Sequence, residues 1–177
     1  LPDFPPCLAE IKTLAVIHEL IKASGPAGMV SGQSLDLSEL MKETLTESQL
    51  RTIHALKTGK LISACINMVI AASQPNTVKA SALQDYAEYL GLVFQMQDDY
   101  LDTYAEKEFL GKGRASDTAN KKITFTHLYS QTDLLSLITD YFQYAKQALL
   151  PFEAQAEDLL LLTDELQQRG ITKSVMQ

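Results

Sequence analysis

Tryptophan is absent from this chain of 177 residues, and it has only two cysteines, eight glycines and six prolines. So little glycine and proline excludes a collagen-like or low-complexity class. Cys7 and Cys65 lie far apart with no ligand spacing, so no disulfide scaffold is indicated and a reducing compartment, the cytoplasm, is expected. Positive charge is short as well: 15 Lys and Arg stand against 22 Asp and Glu, for a net charge of −7. That balance excludes the basic face on which nucleic-acid binding depends. No run of about 20 apolar residues is present, and no basic-then-apolar leader opens the chain. The most apolar stretch, LISACINMVIAA (61–72), is short and carries Ser63 and Asn67. A soluble protein without stable membrane insertion is expected. No G-x-S-x-G elbow supports nucleophilic catalysis, and Gly111 and Gly113 lack the strand that a nucleotide loop requires. His18, His54 and His127 sit in separate segments, without metal-ligand spacing.

What the chain does have is helical periodicity and 46% apolar content, enough for one all-α domain over 1–177. A first helix is predicted over roughly 8–23, stopped by Gly25-Pro26, with a short one over 27–37. Thr46, with Gln49 three residues on, predicts a capping box opening a helix over about 47–73. Ser73-Gln74-Pro75-Asn76 ends it, and Thr77 starts another running to about Tyr104. A loop over 105–120 follows, then helices near 122–130, 133–149 and 152–168, with Gly170 as a C-terminal stop.

The long helix ends on FQMQDDYLD (94–102). At about 100° per residue Asp98, Gln95, Asp102 and Asp99 share one arc of roughly 100°, flanked by Phe94. Two such carboxylates ~5 Å apart repel by on the order of 3 kcal/mol at an effective dielectric of ~20. They also sit at the helix end that disfavours negative charge. A hard divalent cation relieves both costs. Mg2+ suits one or two carboxylates completed by water and phosphate, and the lack of His or Cys argues against zinc. The plain alternative is a polar helix end reaching water.

Directly after this turn the acidic chain gathers Lys107, Lys112, Arg114, Lys121 and Lys122 around Gly111 and Gly113. Carboxylates beside amines on flexible backbone suit a metal–diphosphate clamp, with salt bridging between loop and helix as the alternative. Lys57-Thr58-Gly59-Lys60 forms a third group. Glycine in a helix interior costs ~1 kcal/mol against alanine, which close approach of another group would explain.

Taken together, GMVSGQSLDL (28–37), IHALKTGKLI (53–62), GLVFQMQDDYLD (91–102), LGK (110–112) and NKKITFTHL (120–128) resemble, in order and spacing, the C-terminal half of a trans-isoprenyl diphosphate synthase of the polyprenyl synthetase family. The resemblance implies an all-α isoprenoid-synthase bundle, a homodimer, and Mg2+-dependent condensation of isopentenyl diphosphate with dimethylallyl or geranyl diphosphate. It implies Asp98, Asp99 and Asp102 as metal ligands, Asp98 first among them. Lys57, Lys112 and Lys122 would grip diphosphate, Thr58 and Gln95 would offer oxygen dipoles to a carbocation, and Phe94 would line the isopentenyl side. Three positions depart from the family pattern: Ala115 and Lys121 replace glycines, and Thr126 replaces a frequent proline. No second D-D-x-x-D run occurs in the sequence. The chain is therefore expected to represent half of such an enzyme and to lack turnover alone, or to be a non-catalytic helical subunit that kept the fold.

Overall fold

A computed structural model describes residues 10–38, 44–104 and 123–171, and among these there is no strand. The helices are α1 (Glu10–Ser24), α2 (Met29–Ser38), α3 (Glu47–His54), α4 (Lys60–Ser73), α5 (Thr77–Tyr104), α6 (Phe125–Leu128), α7 (Gln131–Ala148) and α8 (Glu157–Ile171). A 3-10 segment, Leu150–Ala156, joins α7 to α8.

Local chemistry sets most of these ends. Thr46 and Gln49 form the expected capping box: the Thr46 N–H donates to Gln49 Oε1 at 2.9 Å, and the Gln49 N–H donates to Thr46 Oγ1 at 3.3 Å. Gln74 closes α4 in the left-handed region at φ 50°, where Pro75 bars continuation. Asn76 Oδ1 then accepts the Lys79 N–H at 2.9 Å and opens α5. Ser130 caps α7 through the Asp133 N–H at 3.1 Å. At the other end the expectation fails: α8 runs through Gly170 to Ile171 rather than stopping there, and it starts at Glu157 after the 3-10 segment. The expected loop over 105–120 lies outside the described residues.

The helix over 47–73 is continuous but not uniform. Ala55–Gly59 forms a π turn between α3 and α4. With 27 residues, the combined helix is long and apolar enough to cross a bilayer by length and composition alone. It carries Lys57 and Lys60 near its middle, however, and packs along α1 and α5.

Helix α5 is the spine. Tyr86, Val93 and Met96 face Leu134, Ile138 and Phe142 of α7 in one buried cluster, which Leu50 and Ile53 of α3 and Phe125 of α6 complete. Its opposite edge meets the π turn at a glycine pair. A Cβ on Gly91 would stand 3.1 Å from the Gly59 Cα, so the missing side chain is what lets α5 approach this closely. From the far side, a Cβ on Gly32 of α2 would overlap the backbone of Leu56 and Lys57. Two glycines from separate helices therefore hold the π turn between them.

Candidate functional site

The π turn matters because it carries Lys57 and Thr58. Such turns widen one helical loop and re-aim its side chains, and they gather at functional sites. Thr58 Oγ1 donates to Gln95 Oε1 on α5 at 3.4 Å. Lys57 points the other way, its Nζ 2.9 Å from Asp36 Oδ2 on α2. Asp36 is 2% exposed, so this ammonium neutralises a buried carboxylate. Sequence reasoning gave Asp36 no role. The only signal was a lone aspartate in SLDL, and its partner lies 21 residues away on another helix.

The three aspartates of α5 separate. Asp98 and Asp102, one turn apart, are half-buried on a common face. Asp99 is turned inward and 7% exposed. Its Oδ2 accepts the Phe125 N–H at 3.0 Å, and its Oδ1 accepts from Gln95 Nε2 at 3.3 Å. His54 Nε2 stands 4.0 Å from Oδ2, and the imidazole stacks on Phe125 at 5.5 Å. Burial pushes the Asp99 carboxyl up to about 6; the Phe125 and Gln95 donors pull against this, and the charges of Asp102 and Asp98 add to it. At neutral pH the group is mostly ionised. Grouped with its neighbours as a metal ligand by the sequence, Asp99 is here engaged with protein donors on both oxygens.

Whether Mg2+ fits rests on the remaining donors. Among the described residues no three Asp, Glu, His or Cys side chains form a ready-made metal cluster. Two carboxylates on one helix face remain, an all-oxygen set suited to an ion that keeps water and phosphate as its other ligands. Asp98 and Asp102 are the residues that would hold it.

Phe94 is half-buried, with the Arg169 guanidinium of α8 over its ring at 5.8 Å. Lys112 and Lys122, with Ala115 and Lys121, lie outside the described residues. Thr126, in the place of a frequent proline, bonds Thr103 of α5 at 3.1 Å and Thr124 at 2.9 Å, tying α6 to the helix end that bears Asp102. A cavity of 570 Å3 opens elsewhere, between Arg51, Lys60 and Asn67 on one side and Gln84, Glu88 and Tyr141 on the other. None of the described site residues expected from the sequence lines it, so the chemistry is placed by side-chain geometry rather than by this cavity. The structure thus brings Thr58, Gln95 and Asp99 into one line, sets Asp98 and Asp102 beside it, and keeps Lys57 on Asp36.

Known proteins resemble this chain in sequence and in fold. The family model described as polyprenyl synthetase matches residues 6–140. Farnesyl diphosphate synthase of Escherichia coli strain K12 is 34% identical over 169 residues, covering 93% of this chain and 56% of that protein. A geranyltransferase from Legionella pneumophila superposes with a TM-score of 0.82 at 44% identity, over 96% of this chain and 54% of its own. A geranyltransferase from Helicobacter pylori, solved with magnesium and isoprenyl diphosphate, superposes with a TM-score of 0.73 at 26% identity, over 94% of this chain and 54% of its own. The chain spans about half the length of the curated relatives it matches.

Proposed function

Because the chain belongs to the polyprenyl synthetase family, we propose that it supplies one wall of a Mg2+-dependent prenyltransferase joining isopentenyl diphosphate to an allylic diphosphate, dimethylallyl or geranyl. The observation that carries this reading is the Thr58–Gln95 contact beside the Asp98 and Asp102 face. Oxygen dipoles stand there one helical turn from carboxylates, as a reaction that parts a diphosphate anion from a carbocation requires.

Asp98 and Asp102 would hold the metal, and magnesium bound there would draw electron density from the departing diphosphate. Lys57 leaves Asp36 to meet the phosphate oxygens, joined by Lys112 and Lys122. The Thr58 hydroxyl and the Gln95 carbonyl present their negative ends to the positive carbon as the C–O bond opens. Phe94 offers its π face to the second substrate. The sequence holds one aspartate-rich run, so the complete reaction is assigned to the whole protein, and this chain alone is expected to bind diphosphate without turnover. A homodimer would find apolar contact on α1, where Leu14 and Ile21 are exposed. The exposed thiol of Cys65 suits the cytoplasm.

Calorimetric titration with a non-ionisable thiolo analogue of dimethylallyl diphosphate tests the reading. Binding should need Mg2+ and should weaken at least about tenfold in Asp98→Ala, the loss of one charge-assisted contact. Equal binding with and without the metal would defeat the proposal.

A further inference from the structure

The Thr58–Gln95–Asp99 line has a direction, because the amide between the two ends is polar and unsymmetrical. A carboxylate accepts hydrogen bonds and donates none. Facing Asp99 Oδ1 at 3.3 Å, Gln95 must offer its NH2, which leaves Oε1 turned toward Thr58 at 3.4 Å. Both contacts are long and individually weak. What fixes the amide is therefore the sign of the charge behind it. Asp99 is itself fixed: its other oxygen holds the Phe125 N–H at 3.0 Å, and Phe125 is fully buried. The chain of constraint runs from a backbone amide of α6, through a buried carboxylate, to the orientation of an amide on the site face of α5.

We propose that Asp99 is a positioning residue rather than a metal ligand: its carboxylate sets the Gln95 amide so that an oxygen, not an NH2, faces the reacting centre. This rests on the function proposed above and deepens it, since it separates Asp99 from Asp98 and Asp102. The consequence is a preference for positive charge. With the amide in the observed sense, the Thr58–Gln95 patch favours a cation; with the amide inverted, two N–H donors oppose one. Asp99→Asn brings about that inversion. The carbonyl oxygen of the substituted side chain keeps the Phe125 N–H, its NH2 then faces Gln95, and Gln95 answers by turning its own oxygen inward.

Two probes measure the preference on the full chain with Mn2+ and pyrophosphate controls: a tertiary-ammonium analogue of an allylic diphosphate and its neutral carbon isostere. The native chain should bind the ammonium form about tenfold better, the size expected for a charge-assisted contact. Asp99→Asn should bring the ratio to about one or below, while the isostere and Mn2+–pyrophosphate affinities stay within about twofold, which a general loss of structure would not allow. A native ratio retained in Asp99→Asn, or Mn2+ affinity lost with it, overturns the assignment. If neither probe binds the native chain, the proposed function falls and this inference falls with it. Neutron diffraction on the native chain gives a test free of substitution: deuterons on the Gln95 atom facing Asp99 support the proposal, and deuterons facing Thr58 overturn it.

Discussion

The two sides of the 47–73 helix solve different problems. Toward α5 and α7 the molecule closes: Val93, Met96, Leu134 and Ala145 are wholly buried. Toward α1 and α2 it stays open, with Leu14 at 68%, Ile21 at 63% and Leu37 at 62% exposure. Along α4 only Ala64 is fully buried. The buried side supplies most of the stability of the chain, whereas the other leaves apolar side chains exposed. The candidate site lies on the boundary. Gln95 and Asp99 belong to the closed side, and the cation Lys57, paired with Asp36, belongs to the side that leans on α2.

Substitutions sharpen this contrast. The largest effect is expected from Phe142→Ala, which empties a site 1% exposed and should cost about 3–5 kcal/mol in urea unfolding. Next comes pH. The Asp99 carboxyl titrates near 3.8 when unfolded and about 6 when folded. The folded state thus holds the extra proton between those values. Stability from this group is fully present below about pH 4 and is lost as pH rises through 6, by at most about 3 kcal/mol for a shift of this size. Asp99→Asn should remove that slope from unfolding curves recorded between pH 4 and 7, and an unchanged slope would place the titrating group elsewhere. Gly32→Ala should cost about 1–3 kcal/mol by overpacking against the Lys57 backbone, and should weaken pyrophosphate binding by displacing the π turn. Leu14→Ser is smallest, within about 0.5 kcal/mol for a surface change. A larger loss of stability there would mean that the open side is already part of the core.

Much of this was legible in the sequence. The spine α5, running from Thr77 to Tyr104, follows from periodicity and the Ser73-Gln74-Pro75-Asn76 break, both local signals; the Asn76 cap emerged only in the structure. So does the capping box at Thr46. The π turn was not legible, because Gly32 and Gly91, which hold it, come from other helices and nothing in ALKTG announces it. The helical wheel placed all three aspartates in one arc. It could not say that Asp99 turns inward, since that depends on where the Phe125 N–H arrives from α6. Asp36 escaped for the same reason: an ion pair across two helices leaves no spacing to read. Gly170 misled because a glycine permits a helix to end without compelling it, and α8 runs through Gly170 to Ile171.

Mn2+ standing in for Mg2+ makes the central division among the aspartates directly visible. Crystals grown with Mn2+ and pyrophosphate, measured at the manganese absorption edge, should show an anomalous peak bridging Asp98 and Asp102 to the phosphate oxygens, with Asp99 still on the Phe125 N–H. A peak coordinated by Asp99, or none on this face of α5, would contradict the account.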